Sequence, residues 1–449
     1  MKPATSFGFC QIAFSLVSVF LITLHASADD NWPKFRGKDS TGAIESATNL
    51  PDRWSATENV AWKTDLPGRG WSSPIVWGDK VFLTSVVSLG KTEEPKKGLY
   101  FGGNRGTPTE VHQWLVYCLS LETGEILWES KVREAPPESS IHLKNSYASE
   151  TPVTDGNHVF FYFGNVGVFC FDFDGNKIWE KLFKAHETRL GWGTAASPVL
   201  DGDFLYIVDD NEEESSLKVL HKKDGSEHLS IPREEKSNWS TPFIWHNEKR
   251  TEIITPGSTV RSYDLEGKLL WSFKGMSSIT IATPYQYDGK LFISSGYVLS
   301  GRRPLYAIAP GASGDISLEA STSSNEFITW SHFKGAPYNP STMPYKGQIY
   351  VLHDRGFVVS YKASDGTKVY DKKRLKNGRA FTTSPWAYDD KLFFLNEDGV
   401  TFVVEAGEKF KLLHKNQLEE DDMCMASPAL AGDKLLIRTD KRIYCFSKK

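Results

Sequence analysis

The chain has 449 residues, with 52 Lys and Arg against 56 Asp and Glu and a formal net charge of −4. This balance, together with the absence of any basic run longer than three residues, argues against a nucleic-acid-binding surface. Aromatic residues make up 13% of the chain and 36 Gly are spread along it, a composition that favours an all-β protein over a helical one.

The first 28 residues have the pattern of a secretory signal peptide. Lys2 is the only charge before an apolar run, and the run ends in "HASA" followed by an acidic pair. Small residues at this point are typical of a signal-peptidase site, so we expect cleavage after Ala28 and export of residues 29–449 as one domain. A retained membrane anchor is the alternative. No later segment reaches the roughly 20 apolar residues that span a bilayer.

A sequence motif recurs along the rest of the chain, first as "GWSSPIVWGDKVFLTS" in residues 70–85. It consists of Ser, Ala or Thr before a Pro, an apolar stretch, a Gly or Asp turn, and an aliphatic and aromatic strand. The Pro residues of the eight copies are Pro74, Pro152, Pro198, Pro242, Pro284, Pro344, Pro385 and Pro428. Most consecutive copies lie 41–46 residues apart, and the two longer separations predict insertions. A period near 43 with about four short strands is typical of a propeller blade.

The second half of the motif is an acidic-Gly turn followed by a Trp four residues after the Gly. Trp128, Trp179 and Trp271 stand at this position in three copies, whereas the fifth and seventh copies are barely legible. We expect these Trp side chains to be largely buried between neighbouring blades. A helical repeat is disfavoured, because the segments alternate with period two and are interrupted by Gly and Pro.

The last copy ends at Phe446 without an outermost strand. The segment "ENVAWKTDLP" in residues 58–67 precedes the first Pro and resembles the end of a copy, with Trp62 at the aromatic position. We therefore predict that a strand around residues 60–63 completes the eighth blade beside residues 429–446. Such a closure removes an exposed sheet edge.

Three of the cysteines occupy one position of the repeated strand. Cys118, Cys170 and Cys445 lie where other copies have Ser, which predicts small, buried side chains. Disulfides, which export permits, are the alternative, also for Cys424. No Cys-x-x-Cys is present, so a zinc or thioredoxin-like site is unsupported.

The combination of Ser-x-Pro, Asp-Gly and Gly-x-x-x-Trp resembles the pyrroloquinoline quinone (PQQ) repeat family over residues 32–446. The opening "NWPKFRGKDSTG" (residues 31–42) resembles the start of exported PQQ-repeat proteins of planctomycete-type bacteria. The resemblance implies an all-β, eight-bladed β-propeller of the quinoprotein alcohol dehydrogenase type. The family includes quinoprotein alcohol and glucose dehydrogenases and also a cofactor-free lipoprotein that helps assemble outer-membrane proteins, so the fold alone does not decide the activity.

In the quinoprotein alcohol dehydrogenases that the chain resembles, PQQ stacks between a Trp and a disulfide of two adjacent Cys, and Ca²⁺ polarises the quinone. This sequence has no adjacent Cys pair. Its acidic stretches, residues 209–216 and 419–423, are expected to be solvated turns rather than metal sites. We expect no cofactor. PQQ with calcium stays open as the alternative, because glucose dehydrogenases of the family lack the Cys pair.

The segments before each strand-entry Pro should surround the mouth of the ring, where propellers usually bind ligands. Aromatic and polar residues in these segments make a candidate ligand site. They are Trp71, Lys144, Asn145, Glu150, Arg189, Trp192, Trp239 and Asn339. In the alternative interpretation the Trp residues pack between blades and the polar residues cap strand ends. The Gly-rich, charged insertion at residues 88–114 is a candidate recognition loop or a plain mobile one.

These patterns favour an exported, non-catalytic propeller that presents surfaces to protein or glycan partners, with a small molecule at the ring mouth as a further candidate. A PQQ-dependent oxidoreductase is the first alternative, and a hydrolase or lyase is the second. No Gly-x-Ser-x-Gly nucleophile motif supports the last of these.

Overall fold

The computed structural model describes residues 1, 31–46 and 48–448. The predicted signal peptide therefore lies, Met1 apart, outside the described residues. Within the described part of the chain, no helix is long and apolar enough to cross a membrane. One short 3-10 helix, Arg189–Gly191, is the only helical element there.

The described residues form eight sheets, seven with four strands and one with five, which confirms the predicted eight-bladed β-propeller. Strand β1 (Val60–Asp65) comes first and belongs to the last blade. Blade 1 contains β2 (Ile75–Trp77), β3 (Lys80–Ser88), β4 (His112–Ser120) and β5 (Ile126–Ala135). Blade 2 contains β6 (Val153–Thr154), β7 (His158–Phe163), β8 (Gly167–Asp172) and β9 (Lys177–Leu182). Blade 3 contains β10 (Val199–Asp201), β11 (Phe204–Asp209), β12 (Ser216–His221) and β13 (Glu227–Pro232).

Blade 4 contains β14 (Phe243–His246), β15 (Thr251–Thr255), β16 (Thr259–Tyr263) and β17 (Leu269–Lys274). Blade 5 contains β18 (Tyr285–Tyr287), β19 (Lys290–Ser294), β20 (Leu305–Ile308) and, after an insertion, β22 (Ile328–His332). The insertion supplies β21 (Gly314–Asp315), which adds to β17 as a parallel fifth strand. Blade 6 contains β23 (Met343–Tyr345), β24 (Gln348–His353), β25 (Phe357–Lys362) and β26 (Lys368–Arg374). Blade 7 contains β27 (Trp386–Tyr388), β28 (Lys391–Leu395), β29 (Val400–Glu405) and β30 (Leu412–Gln417), and blade 8 contains β31 (Ala429–Ala431), β32 (Lys434–Arg438) and β33 (Arg442–Phe446).

The ring closes through the N-terminal strand, as the sequence predicts. Strand β1 pairs antiparallel with β33, and Trp62 lies opposite Cys445. The eighth blade thus combines the two ends of the described propeller, and the last hydrogen-bonding edge of β33 is covered.

The repeated Ser or Thr of the motif has a structural cause. In six of the eight junctions, the hydroxyl of this residue accepts a hydrogen bond from the backbone N–H of the equivalent residue in the preceding blade. The pairs are Ser73–Thr151, Thr151–Ser197, Ser197–Thr241, Thr283–Ser341, Ser341–Ser384 and Ser384–Ser427, all at 2.9–3.0 Å. Each bond contributes about 1 kcal/mol, and together they tie neighbouring blades around the axis. We call the eight residues in these pairs the hydroxyl ring; within the described chain no such bond joins Thr241 to Thr283 or Ser427 to Ser73.

The sixth copy of the motif differs from the sequence interpretation. Strand β23 begins at Met343, so Thr342 and not Pro344 occupies the strand-entry position. Ser341 supplies the hydroxyl that accepts from Thr283. The position is fixed by the inter-blade hydrogen bond, and an extended Thr can take the place of the Pro.

The Trp of the turn motif docks on the turn of the next blade. Trp62, Trp128 and Trp179 lie against the turn Gly of the following blade, and each donates its indole N–H to a backbone carbonyl there, at 2.8–3.0 Å. A Cβ on Gly124 would come within 2.4 Å of the Trp62 ring, so only Gly fits at this turn. Trp128 and Trp179 are half-buried, less than expected, because these turns lie at the outer rim of the ring.

Trp271 is the one fully buried Trp of the three predicted from the turn motif, and it bonds within its own blade and not to the next one. The inserted residues 309–327 replace the tight outer turn of blade 5, so the Trp271 indole N–H donates to Glu252 at 2.6 Å within its own blade. In blade 5 the docking residue is Trp330, which packs on Gly366 and donates to Ala363 at 3.1 Å. Trp330 is not recognisable from the sequence repeat, because the insertion separates it from the rest of its copy.

The four cysteines in the described part of the chain are free and buried, as predicted for the small strand residues Cys118, Cys170 and Cys445. Cys118 and Cys170 lie opposite Trp128 and Trp179 in the neighbouring strands. Burial raises the pKa of the Cys118 thiol to about 12, which keeps it protonated and unreactive.

Candidate binding cup at the mouth of the ring

A cavity of about 1360 Å³ lies on the axis of the ring. All eight members of the hydroxyl ring line it, so every blade contributes to its wall. The segments that enter the innermost strands form its upper wall, as predicted for the mouth. We call this cavity the cup.

The floor of the cup is an N-terminal segment, residues 31–43, which we call the plug. It runs beneath the far ends of the innermost strands. Trp32 forms two backbone hydrogen bonds with Val76 of blade 1, both at 2.9 Å. Gly42 accepts from Ala387 of blade 7 at 3.1 Å, and Phe35, between these anchors, lines the cup from below.

Buried Arg36 fixes the plug to the ring. Its guanidinium donates to the carbonyl of Thr342 at 2.9 Å and to that of Ser40 at 3.0 Å. Gly42 has φ +73°, and a Cβ there would lie 2.9 Å from the Pro385 carbonyl. The "RGKDSTG" part of the opening motif therefore encodes a compact turn that closes the axial channel at one end.

The roof of the cup is the insertion of blade 1, residues 89–111, which we call the roof loop. The Tyr100 ring stacks on His142 with centroids 5.9 Å apart. Phe101 meets Trp192 edge-on at 5.9 Å, and the Trp192 indole N–H donates to the Gly103 carbonyl at 3.3 Å. Burial, with the positive charges of Lys144 and Arg105, lowers the pKa of His142 to about 4, so this imidazole is neutral at pH 7.

A buried ion pair latches the roof loop across the mouth. Lys144, at the entry to blade 2, lies 2.5 Å from Oε1 of Glu397 in blade 7. The second Glu397 oxygen accepts from the Gly98 N–H at 2.8 Å, and the Lys144 ammonium donates to the Gly98 carbonyl at 2.8 Å. Thr382 also donates to Glu397, at 2.5 Å. Both backbone groups of Gly98 are therefore held by the pair, which we call the latch.

Most of the candidate residues predicted from the sequence line the cup. They are Trp71, Lys144, Asn145, Trp192, Trp239 and Asn339. The Trp192 and Trp239 rings are 6.1 Å apart and inclined by 40°. The indole N–H of Trp71 donates to the Lys144 carbonyl and that of Trp239 to the Gly193 carbonyl, both at 2.7 Å. These bonds fix the orientation of the aromatic wall.

The two Asn side chains are committed to the wall itself. Asn145 donates to the Trp192 and Thr194 carbonyls at 2.8 and 3.1 Å, which joins the entries of blades 2 and 3. Asn339 donates to Asp354 at 2.8 Å within blade 6. Both amides have the capping role that the alternative interpretation gave to the polar residues.

Glu150 and Arg189 lie behind the wall and do not line the cup. Glu150 is buried and accepts from Thr194 at 2.6 Å and from the Gly164 N–H at 3.2 Å. Burial without a cationic partner raises its pKa to about 7. The Arg189 guanidinium lies over the Tyr297 ring, 5.8 Å from its centroid.

The sequence analysis missed the contribution of the hairpin loops between the second and third strands of the blades. Glu397 and Asp354 come from equivalent hairpins of blades 7 and 6, and each binds groups at the mouth. The repeat aligns "NEDG" at residues 396–399 with "HDRG" at residues 353–356, so their shared acidic-x-Gly pattern was the available signal.

The side of the cup formed by blades 5 and 6 is strongly basic. Six basic residues line the whole cup: Lys144, Arg303, Lys334, Arg355, Lys368 and Lys372. Only two carboxylates do so, Asp354 and Asp371. Lys144 is held in the latch, and Lys368 pairs with Asp371 at 3.3 Å. The other four form no ion pair within the described chain.

The donor set of the cup does not fit PQQ with calcium. Calcium takes six to eight oxygen ligands. Asp354 is already bonded to the backbone N–H groups of Tyr338 and Asn339 at 2.8 and 2.9 Å, and Asp371 is paired with Lys368. In the described part of the chain, no group of three His, Cys, Asp or Glu is placed to hold a metal ion. The Trp192 and Trp239 rings are inclined by 40°, so these two rings do not form a parallel slot for a planar quinone.

Comparison with known proteins agrees with this architecture. Residues 110–231 match the PQQ-repeat family model described as outer membrane protein assembly factor BamB. The chain is an eight-bladed β-propeller that carries PQQ-type repeats in these residues. No curated protein sequence matches it significantly. The family model covers one stretch of this PQQ-repeat propeller, and the repeat continues in the structure on both sides of it.

Solved structures with the same fold include proteins of quite different kinds. Quinohemoprotein alcohol dehydrogenase from Comamonas testosteroni is 9% identical with a TM-score of 0.60, over 94% of this chain and 81% of that one. BamB from Moraxella catarrhalis is 12% identical with a TM-score of 0.54, over 82% and 99%. The computationally designed Ika8 protein is 11% identical with a TM-score of 0.51, over 80% and 98%. At such identities the likeness shows the fold of the PQQ-repeat propeller alone.

Proposed function

We propose that this PQQ-repeat propeller is an exported, non-catalytic binding protein that receives a segment of a partner in the cup. The proposal rests on which polar groups of the cup already have partners within the protein and which do not. Its carboxylates, both Asn amides and the indole N–H groups are bonded to the protein itself. The charged side chains of the cup that form no ion pair within the described chain are Arg303, Lys334, Arg355 and Lys372, and together with the aromatic faces they can hold a ligand.

The shape of the cup supports the same conclusion. The plug closes the channel below and the latched roof loop covers the side of blades 7, 8, 1, 2 and 3. Access is therefore from the side of blades 4 to 6. There Val298 and Leu299, in the loop between β19 and β20, line the cup and are 57% and 76% exposed. Exposed apolar side chains at the entrance of a cavity mark an interaction site.

Export is part of the proposal. It rests on the signal-peptide pattern of the first 28 residues and on the match to a family model named for outer-membrane protein assembly.

Site-specific photo-crosslinking tests the proposal. A benzoylphenylalanine replaces Leu299 at the cup entrance or, as the matched control, Ile178 on the outer strand β9, which is 47% exposed. In cells that export the protein, irradiation should give a discrete covalent adduct from position 299 and none from position 178. Equal labelling from both positions, or none from position 299, would contradict the proposal.

A PQQ-dependent oxidoreductase is the second candidate, favoured by the structural likeness to quinohemoprotein alcohol dehydrogenase. It is tested by incubating the purified protein with PQQ and Ca²⁺ and recording dye-linked oxidation of alcohols. Because both carboxylates of the described cup already have partners within the protein, we expect no oxidation above a protein-free blank. Calcium-dependent turnover would replace the binding proposal with the oxidoreductase.

A further inference from the structure

The entrance of the cup combines positive charge with exposed apolar surface. Arg303, Lys334, Arg355 and Lys372 all line the cup on the side of blades 5 and 6. Lys334, Arg355 and Lys372 are exposed, and Arg303 is half-buried. The protein as a whole carries a net charge of −4, so this concentration of positive charge is local. A cavity with walls of one charge attracts ligands of the opposite charge.

Two of these cations, Arg303 and Lys372, act on a neutral group. His353 lines the same side of the cup, and burial together with the charges of Arg303 and Lys372 lowers its pKa to about 4. Asp354, the carboxylate next to it, is turned to the backbone of Tyr338 and Asn339. Asp371, the other carboxylate of the described cup, pairs with Lys368 at 3.3 Å and also acts on His353, so the cup holds four cations without an ion pair against two carboxylates that already have partners.

Apolar side chains surround the entrance on two sides. The roof loop contributes Leu99 and Phe101, which are 43% and 67% exposed. The loop of blade 5 contributes Val298 and Leu299 from the other side. The cup of about 1360 Å³ exceeds the 300–1,000 Å³ that is usual for small-molecule pockets. Its entrance therefore suits a chain segment better than a compact metabolite.

We propose that the cup binds an acidic peptide segment of a partner protein, whose Glu or Asp side chains meet Arg303, Lys334, Arg355 and Lys372 and whose apolar side chains pack between Phe101 and Leu299. This inference rests on the proposed function and specifies the chemistry of the bound segment. The unpaired cations select a negative segment and reject a basic one, and the apolar rim contributes the buried area.

Fluorescence anisotropy tests the inference with the complete exported chain. The probe is a fluorescein-labelled peptide rich in Glu with interspersed Phe, and its matched control carries Gln in place of every Glu. We expect saturable binding of the acidic peptide that weakens as salt rises, because the cations at the entrance are open to solvent. The Gln peptide should bind at least about tenfold more weakly, as expected for the loss of several rim charges.

Variants locate the site. The double variant Lys334→Glu with Arg355→Glu should lower the affinity for the acidic peptide by about tenfold or more, since both charges at the cup entrance are reversed. The matched control, Lys223→Glu with Lys409→Glu, changes net charge equally at exposed positions outside the cup and should leave the affinity within about twofold. Thermal unfolding checks that both double variants fold as the wild type does, which their exposed positions predict.

The outcomes separate the inference from the proposed function. Equal affinity for the Gln peptide, or an equal effect of both double variants, overturns the inference. If PQQ or a sulfated glycan instead binds more tightly than the acidic peptide, it displaces that peptide. That result assigns the cup to the displacing ligand and also overturns the inference. If the peptide fails to bind while Leu299 still gives its crosslinked adduct, the cup binds a partner of other chemistry and only the inference fails.

Discussion

The latch provides the sharpest test of how the cup is roofed. Glu397 is fully buried in its side chain and Lys144 is 10% exposed, so Glu397→Gln leaves a buried ammonium without its counter-charge. Breaking a buried ion pair in this way costs about 3–5 kcal/mol. Since Lys144 borders the cup and water can reach it, we expect the lower limit, about 3 kcal/mol.

The loss should appear as opening of the roof loop, because the same pair holds both backbone groups of Gly98. About 3 kcal/mol corresponds to an increase of about a hundredfold in the open population. Hydrogen–deuterium exchange measures it directly as faster exchange in residues 96–103. Glu405→Gln is the matched control, because Glu405 forms an exposed pair with Lys411 and should change the exchange rate little.

A second variant distinguishes the latch from a general loss of stability. In Lys144→Met with Glu397→Gln no charge is left unpaired, so part of the lost protection should return. Exchange in residues 96–103 that is as slow in Glu397→Gln as in the wild type would refute the latch.

Three further predictions concern the ring and its pH dependence. Trp271→Ala should lower the free energy of unfolding in urea by about 3–5 kcal/mol and Trp128→Ala by roughly half as much, because only Trp271 is fully buried; equal losses would contradict the packing. Deleting residues 29–66 removes the plug and β1 and should cause aggregation in size-exclusion chromatography, so a monomer with unchanged Tm would refute ring closure. The pKa of Glu150 is about 7 in the folded state and near 4.5 in the unfolded state, so the free energy of unfolding should fall by about 3 kcal/mol as pH rises through this range. In Glu150→Gln this fall should be absent. A urea midpoint with the same pH dependence in Glu150→Gln as in the wild type would contradict the prediction.

The fold was predictable because its stabilising contacts repeat. The residues of the hydroxyl ring and the docking Trp residues recur at equivalent positions of successive sequence copies. Closure by β1 follows from the strand that is missing in the last copy. Prediction failed where one copy departs from the pattern. An insertion hides Trp330, and Thr342 replaces the Pro of the sixth copy.

The cup was predictable only in part, because its closure depends on contacts that do not repeat. The aromatic wall followed from the strand-entry segments, since a closed ring brings these together. The latch joins Lys144 to Glu397, 253 positions further along the chain, and the sequence repeat does not predict such a pair. The plug was visible as a motif around Phe35, but its place beneath the ring depends on backbone bonds to blades 1, 2 and 7.

Binding of an acidic segment in the cup should leave a footprint on the wild-type propeller. Hydrogen–deuterium exchange of the wild-type protein, with and without the Glu-rich peptide at saturation, tests it most directly. We expect slower exchange in residues 96–103, 297–303 and 353–357, which border the cup, and no change in the outer strands β5, β9 and β13. Protection confined to the outer strands, or none in the three cup segments, would contradict it.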